Sequence, residues 1–409
     1  MAIMAMNVRA FRMPVELFCL LGLCLSISAC ASTKVCKIER TGNFKIEADE
    51  ARMWKRAEEL QEVLNKSGYI YHDDKLTEYV NDVLHKLIGD YEKNNNVKLR
   101  VYIIKDPYFN AFCLPNGAIY IHSSILANAD NEAQLATLLG HEATHFLHRH
   151  LLIEKRSLIN KSAFISVWDV TLASAAGAVG VYGDAASLAR LLGDYCVLGS
   201  IFGYSRELER DADRNAFELV KKAGYPYSET KKFMENLYEA TKDEKKKPPY
   251  FYSSHPETRE RIKTYQHLIM ELSKDGEEKV LPNVGYGDLL YNKMTKNVLL
   301  DNIELELKRN NMKVAKKQIE KYNKLSPNNS RAYCLLGQAC IMEDDKEGAE
   351  KALMASIGFE PSYAESHKFL GLLYYKKEEK EKARVEFETY LRLKPNAKDA
   401  EYIRGYLNE

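Results

Sequence analysis

Apolar residues recur at steps of three and four over 48–64, where Trp54, Ala57, Leu60 and Leu64 fall on one helical face. The same period over 75–87 aligns Leu76, Tyr79, Val80, Val83 and Leu87 and predicts a second helix. The period then changes to two. Val97, Leu99, Val101 and Ile103 alternate with polar positions, as in a half-buried strand over 97–104. Pro115-Asn116-Gly117 marks a turn, and the run 118–121 after it reads as another short strand. Helical period returns strongly over 132–152. Two helices, a small sheet and a further long helix make an α+β order.

Two long apolar stretches follow, 163–182 and 185–204. The first is rich in small residues and has about the length that spans a bilayer. Asp169, Arg190 and Asp194 would be costly in lipid, so both are read as helices that cover the site or lie against a membrane surface. The stretch 275–297 mixes Gly, Pro, Lys and Glu without helical period and reads as a linker. Beyond it, Ala315, Ala349 and Ala383 recur at a spacing of 34, as do Pro327, Pro361 and Pro395. Gly337 and Gly371 keep the same spacing, with Ile303 in the matching earlier place. A 34-residue period with small residues at helix contacts and Pro after the second helix is the pattern of tetratricopeptide repeats. Small residues let paired helices approach, and Pro ends the second of them. A capping helix is expected over 397–407.

The N-terminus changes the picture of where the chain works. Arg9 and Arg12 precede an apolar stretch from Phe18 to Ile27, which closes on Ser28-Ala29-Cys30. This is a secretory signal pattern with small residues before the cut. A Cys directly after Ile-Ser-Ala is similar to the bacterial lipobox, so Cys30 is expected to be lipidated. Triacylation would tether the protein, since one chain alone binds only marginally. Ala31 rather than Asp follows, which favours the periplasmic side of the outer membrane. The expected division is a lipoprotein signal over 1–29, a globular domain over 30–274, a linker over 275–297, and three repeats with a capping helix over 298–409.

Composition adds mostly exclusions. The chain has 59 Lys and Arg against 58 Asp and Glu, which gives no support to nucleic-acid binding. At 45% hydrophobic and 29% charged it reads as globular, and 409 residues imply more than one domain. Its eight cysteines contain no CxxC pair, so a cysteine metal site is not expected. Cys334 and Cys340 sit six apart on one predicted helix, about 240° around its axis, and cannot bridge each other.

The chemistry lies in His141-Glu142-Ala143-Thr144-His145. Residues four apart share a helix face, so both imidazoles can reach one Zn2+. Glu142, offset by one, stands where it can take a proton from a water on that ion, whose pKa falls from about 15.7 toward about 7. Alone, the motif is a weak signal. A third ligand from position 151 is ruled out because that residue is Leu151, and His148 and His150 are not expected to reach the same ion. A second segment, Ser205-Arg206-Glu207-Leu208-Glu209-Arg210-Asp211-Ala212-Asp213, places Glu209 and Asp213 on one face. Glu209 could bind the zinc while Asp213 orients a ligand histidine. Arg206, Glu207, Arg210 and Asp211 read as a solvated face.

Asn110-Ala111-Phe112, Asn116-Gly117, Ile119-Tyr120, Leu138-Leu139-Gly140 before the HEATH helix, and Ser205-Arg206-x-x-Glu209-x-Asp211-Ala212-Asp213 together resemble the HtpX/CAAX-prenyl-protease metallopeptidases. The signal-bearing start and C-terminal repeats resemble their periplasmic BepA- and LoiP-like branch. The resemblance implies a gluzincin-type zincin fold, mostly helical with a small sheet, ahead of an all-α repeat domain. It implies one Zn2+ per chain on His141, His145 and Glu209, with Glu142 as general base and Asp213 as orienter first and proton donor second. His255-Pro256-x-x-x-x-Arg261 matches the family's His-Pro segment, and His255 is expected as an extra ligand or oxyanion contact. The expected function is endoproteolysis of unfolded or misassembled envelope proteins. Peptides would pair along an edge strand at 118–121, and an envelope assembly complex would dock on the repeats. The alternative is an assembly chaperone or scaffold that rarely cuts.

Overall fold

A computed structural model describes residues 35–158, 204–242, 258–274 and 285–408. Cys30, His255, most of the two apolar stretches after 158 and the first part of the expected linker lie outside these residues. The first two helices form where the apolar period placed them, α1 at Ala48–Lys66 and α2 at Asp74–Asn95. Asp73 caps α2 by accepting from the Leu76 amide at 3.0 Å. Strands β1 (Arg100–Ile104), β2 (Ala111–Cys113) and β3 (Ala118–His122) make one small sheet in the order β1-β3-β2. Gly117, at φ 85°, turns the chain from β2 into β3, and a Cβ there would meet the Lys98 carbonyl at 3.0 Å.

The sheet corrects one expectation. β3 is the central strand, parallel to β1 through Val101 and Ile119 and antiparallel to β2 through Phe112 and Tyr120. Both of its edges are occupied, so no peptide can pair along 118–121. The edges belong to β1 and β2. β1 is capped by Asn81, whose side chain bonds the Val101 amide and carbonyl, and by the chain at Ile70.

After β3 come α3 (Ser123–Asn128), α4 (Glu132–Leu147), α5 (His150–Leu158), α6 (Arg206–Lys222), α7 (Ser228–Thr241) and α8 (Thr258–Lys274). The single helix expected over 132–152 is therefore broken. Arg149 takes φ 58°, and its guanidinium turns inward onto Glu50 and Glu47. That buried charge pairing holds a residue other than Gly in a left-handed turn, and no apolar period records it. α4 and α6 pack closely, with Gly140 against Ala216.

α9 spans Gly285–Lys308, so the expected linker is helical over its second half. Its inward face carries Tyr291, Thr295, Val298 and Asn302, all buried. Two of the four are polar, which hides the period from a hydrophobic count. Tyr291 donates to the Leu126 carbonyl at 2.8 Å and joins the peptidase-side core. α9 pairs with α10 (Met312–Leu325), α11 (Ser330–Met342) with α12 (Lys346–Phe359), and α13 (Ala364–Lys376) with α14 (Lys380–Leu393), in register with the 34-residue period. α15 (Ala400–Leu407) ends the array. The repeating glycines sit at helix crossings, where a Cβ on Gly337 would lie 2.5 Å from Leu353 and one on Gly371 2.6 Å from Phe387. Cys36, Cys113, Cys334 and Cys340 are free thiols. Among the described residues, no helix is long and apolar enough to cross a membrane.

Candidate active site

α4 is buried almost throughout, from Ala133 to Leu147, because it runs between the sheet side and α6. A helix buried on all sides can hold polar groups only if they have partners. His141, Glu142 and His145 are such groups, none more than 2% exposed. His141 and His145, one turn apart, bring their Nε2 atoms to 3.1 Å. From α6, Glu209 straddles the pair, each of its carboxylate oxygens 3.5 Å from one Nε2. The Ser205 hydroxyl caps α6 by accepting from the Leu208 amide. This fixes the helix start one turn before Glu209.

These three residues could hold a metal ion. Two imidazoles and one carboxylate are a common catalytic zinc set, and bonds of about 2.0–2.1 Å to a tetrahedral ion would place its ligand atoms about 3.3–3.4 Å apart. The spacings of 3.1 and 3.5 Å fit that ion.

Each imidazole is held from behind. His141 Nδ1 lies 3.0 Å from Asp213 Oδ1. It also lies 3.0 Å from the Arg261 guanidinium, which can only donate. With Nε2 facing the site, the proton sits on Nδ1 and goes to Asp213, and Arg261 gives its own protons to the same carboxylate at 2.7 and 3.1 Å. Tyr265 donates a further bond to Asp213 at 3.0 Å. Burial alone would raise the Asp213 carboxyl, but the Arg261 charge and the His141 bond hold it well below the usual carboxylate range. Arg261 is buried too, yet Asp213 and Glu209 keep it charged. His145 Nδ1 faces His150 Nδ1 at 3.0 Å, and the Tyr204 ring stacks on His145 with centroids 3.8 Å apart. A shallow recess beside His145 is lined by Met53, Trp54, Leu114, Phe146 and Tyr204, with Glu50 and Arg149 also at its wall.

Glu142 lies within electrostatic reach of the sheet. Its charge is felt at Cys113, on β2, whose thiol is pushed up mainly by burial and further by Glu142. This places a carboxylate beside the strand edge nearest α4.

The structure thus brings together His141, His145, Glu209 and Asp213, with Glu142 alongside. His148 and His150 are not among these, although His150 touches His145 from behind, and both bond Asp211, which is not a merely solvated residue. Arg261, Tyr265 and Tyr204 escaped the sequence reading. A signal existed only for Arg261, as the last position of the His-Pro segment.

Residues 74–269 match the model of peptidase family M48. This segment is a peptidase family M48 domain. The chain is similar to the beta-barrel assembly-enhancing protease of Yersinia pestis, 24% identical over 56% of this chain and 45% of that protein. It is also similar to the mitochondrial metalloendopeptidase OMA1 of Schizosaccharomyces pombe, 28% identical over 49% of this chain and 55% of that protein. The chain therefore spans about half the length of the curated relatives it matches. Among solved structures, a crystal structure of MamA is 24% identical, covering 33% of this chain and 79% of that one at a TM-score of 0.25, a likeness that carries no argument.

Proposed function

We propose that this chain is a zinc-dependent endopeptidase of the bacterial cell envelope. It acts on unfolded or misassembled periplasmic and outer-membrane proteins, and its helical repeats, read as tetratricopeptide repeats, dock partners such as an assembly complex. The observation that carries the reading is the convergence of His141, His145 and Glu209, buried on two packed helices with Glu142 beside them. The M48 segment supports the chemistry. The Cys30 pattern and the names of the bacterial relatives support the envelope.

His141, His145 and Glu209 would hold one zinc ion, which would supply a Lewis acid for the scissile carbonyl and lower the pKa of a water. The chain does the rest. An extended peptide pairs along the outer side of β2, the strand nearest α4. The recess beside His145 takes an apolar side chain. Glu142 accepts a proton from water as the oxygen–carbon bond forms, then returns it to the amine as the carbon–nitrogen bond breaks. Asp213, locked by Arg261 and Tyr265, keeps His141 in the tautomer that offers Nε2. His255 is the proposed extra ligand or oxyanion contact, and Cys30 the lipid attachment.

Glu142→Gln in the full chain tests the reading. Zinc content should stay at one tightly held ion, cleavage of an unfolded protein should fall about 10²–10⁴-fold, and uncut envelope proteins should be retained on the variant. Degradation that survives the substitution refutes proteolysis at this site. Complementation that survives while degradation is lost favours the assembly chaperone.

A further inference from the structure

The break in the active-site helix sets up a second constellation. Because Arg149 turns left-handed, His148 and His150 emerge on one side of the chain. His148 Nδ1 and His150 Nε2 both bond the same oxygen of Asp211, the latter at 3.1 Å. The two rings meet at 76° with centroids 5.6 Å apart, converging edges rather than a stack. The three potential ligand atoms lie within 4.8 Å of one another.

We propose that His148, His150 and Asp211 form a second divalent-cation site, distinct from the first and open to solvent. Two imidazoles and a carboxylate select a borderline ion of the zinc class rather than calcium or magnesium, which prefer all-oxygen shells. His150 is 1% exposed and anchors the site, while the His148 and Asp211 side chains, at 11% and 37%, leave an entry path and room for water ligands. Lys37 already places a cation here, its Nζ 3.1 and 3.3 Å from the Asp211 oxygens. The pocket thus attracts positive charge, and an incoming ion competes with that ammonium.

The site is coupled to its neighbour through one hydrogen bond. His145, offering Nε2 to the first ion, carries its proton on Nδ1 and gives it to His150 Nδ1 at 3.0 Å. His150 then holds its own single proton on Nε2, toward Asp211. A second ion can take that nitrogen only if this proton leaves Nε2, either to solvent or to Nδ1. His150 is then either an imidazolate between two cations or loses its bond to His145. The second ion therefore binds more weakly than the first. This coupling, though not the second site itself, rests on His141, His145 and Glu209 being the first metal site.

The test uses the full chain, stripped with chelator and titrated with Zn2+ against a chromophoric competitor, then with Co2+ to read histidine ligation by its visible absorption. Wild type should take two equivalents, one tight and one weaker. His148→Ala and Asp211→Asn should each take one. Lys37→Ala should keep both and bind the weaker one up to about fivefold more tightly, the scale of an exposed ion pair. Misfolding cannot produce that gain. A single equivalent in wild type, a second equivalent that persists in both His148→Ala and Asp211→Asn, or no tightening in Lys37→Ala overturns the proposal. Glu209→Ala should lose the tight ion and keep the weaker. If it keeps both, the first-site reading fails while the second site stands.

Discussion

Replacing Asp213 by Asn separates two roles that one carboxylate can play. Asp213 is fully buried, and its oxygens accept from His141, Tyr265 and twice or more from Arg261. An Asn amide has one acceptor and one NH2 group. Arg261 Nε sits 3.1 Å from both carboxylate oxygens, so either amide orientation sets a donor against a donor. Two consequences follow. Removing one partner of a buried ion pair costs about 3–5 kcal/mol, and Asn, which keeps some hydrogen bonds, should fall at the low end. Loosening the group behind a metal-binding histidine costs about 10–100-fold in metal affinity, or about 1.4–2.8 kcal/mol. Zinc affinity is read by competition with a chelator, and turnover is read at saturating zinc. As an orienter, Asp213→Asn loses affinity but keeps turnover within about tenfold once zinc is saturating. The double variant Asp213→Asn with Arg261→Met leaves no unpaired Arg261 charge facing the amide and should regain part of the lost stability, without regaining affinity. Unchanged zinc affinity with turnover abolished at saturating zinc would refute the orienting role and make Asp213 the proton donor.

The remaining expectations concern packing and charge. Gly337→Ala should destabilise, because its Cβ would stand 2.5 Å from Leu353. Overpacking costs about 1–3 kcal/mol, against a helix-propensity gain of about 1 kcal/mol, and chemical denaturation measures the net loss. Gly140→Ala should stay within about 1 kcal/mol of wild type, because its nearest neighbour, Ala216 Cα, is 3.4 Å away. Gly140→Leu should instead part α4 from α6 and lower zinc affinity, read in the same competition assay. Near the N-terminus, Arg156 holds the Glu47 and Asp49 carboxyls below their usual values. Depressed carboxyls contribute stability that is complete above their unfolded pKa and lost as pH falls through the folded one. Asp49→Asn should therefore flatten the loss of stability below about pH 4, and an acid-unfolding profile as steep as wild type would count against this.

What the sequence made legible was whatever local spacing controls. His141 and His145 share a face because a helix repeats every 3.6 residues, and the same rule pairs Glu209 with Asp213. The repeat register survived because its small residues are fixed by direct helix contact at Gly337 and Gly371. What failed was set by partners far along the chain. Arg149 breaks the helix only because Glu47 and Glu50, about a hundred positions earlier, take its charge. The same break sends His148 and His150 to Asp211. α9 was missed because Thr295 and Asn302 interrupt its buried face with polar groups that find partners. β3 was taken for an edge because β2 is only three residues long and has no alternation to count.

That polar face on α9 bears on how the two halves of the chain can cooperate. Asn302 links Ser123 at the start of α3 to Gln318 on α10. Gln318 reaches on to Asn128, and Lys321 donates to the Ala127 and Ala129 carbonyls at 3.0 and 2.6 Å. Burial pushes the Lys321 ammonium down to about 8. On the other side, Tyr71 and Arg331 both bond Asp301. The first helices of the array are thus bonded to α3, the short element between the sheet and the helix that carries His141. A flexible tether would let a docked partner sample many positions relative to His141, His145 and Glu209. This arrangement instead sets one distance and direction from α10 to the strand edge at β2. If the repeats hold a partner, as proposed, selection of the cleavage point then lies in geometry: segments of the partner that reach β2 are cut, and folded parts held on the repeats are not.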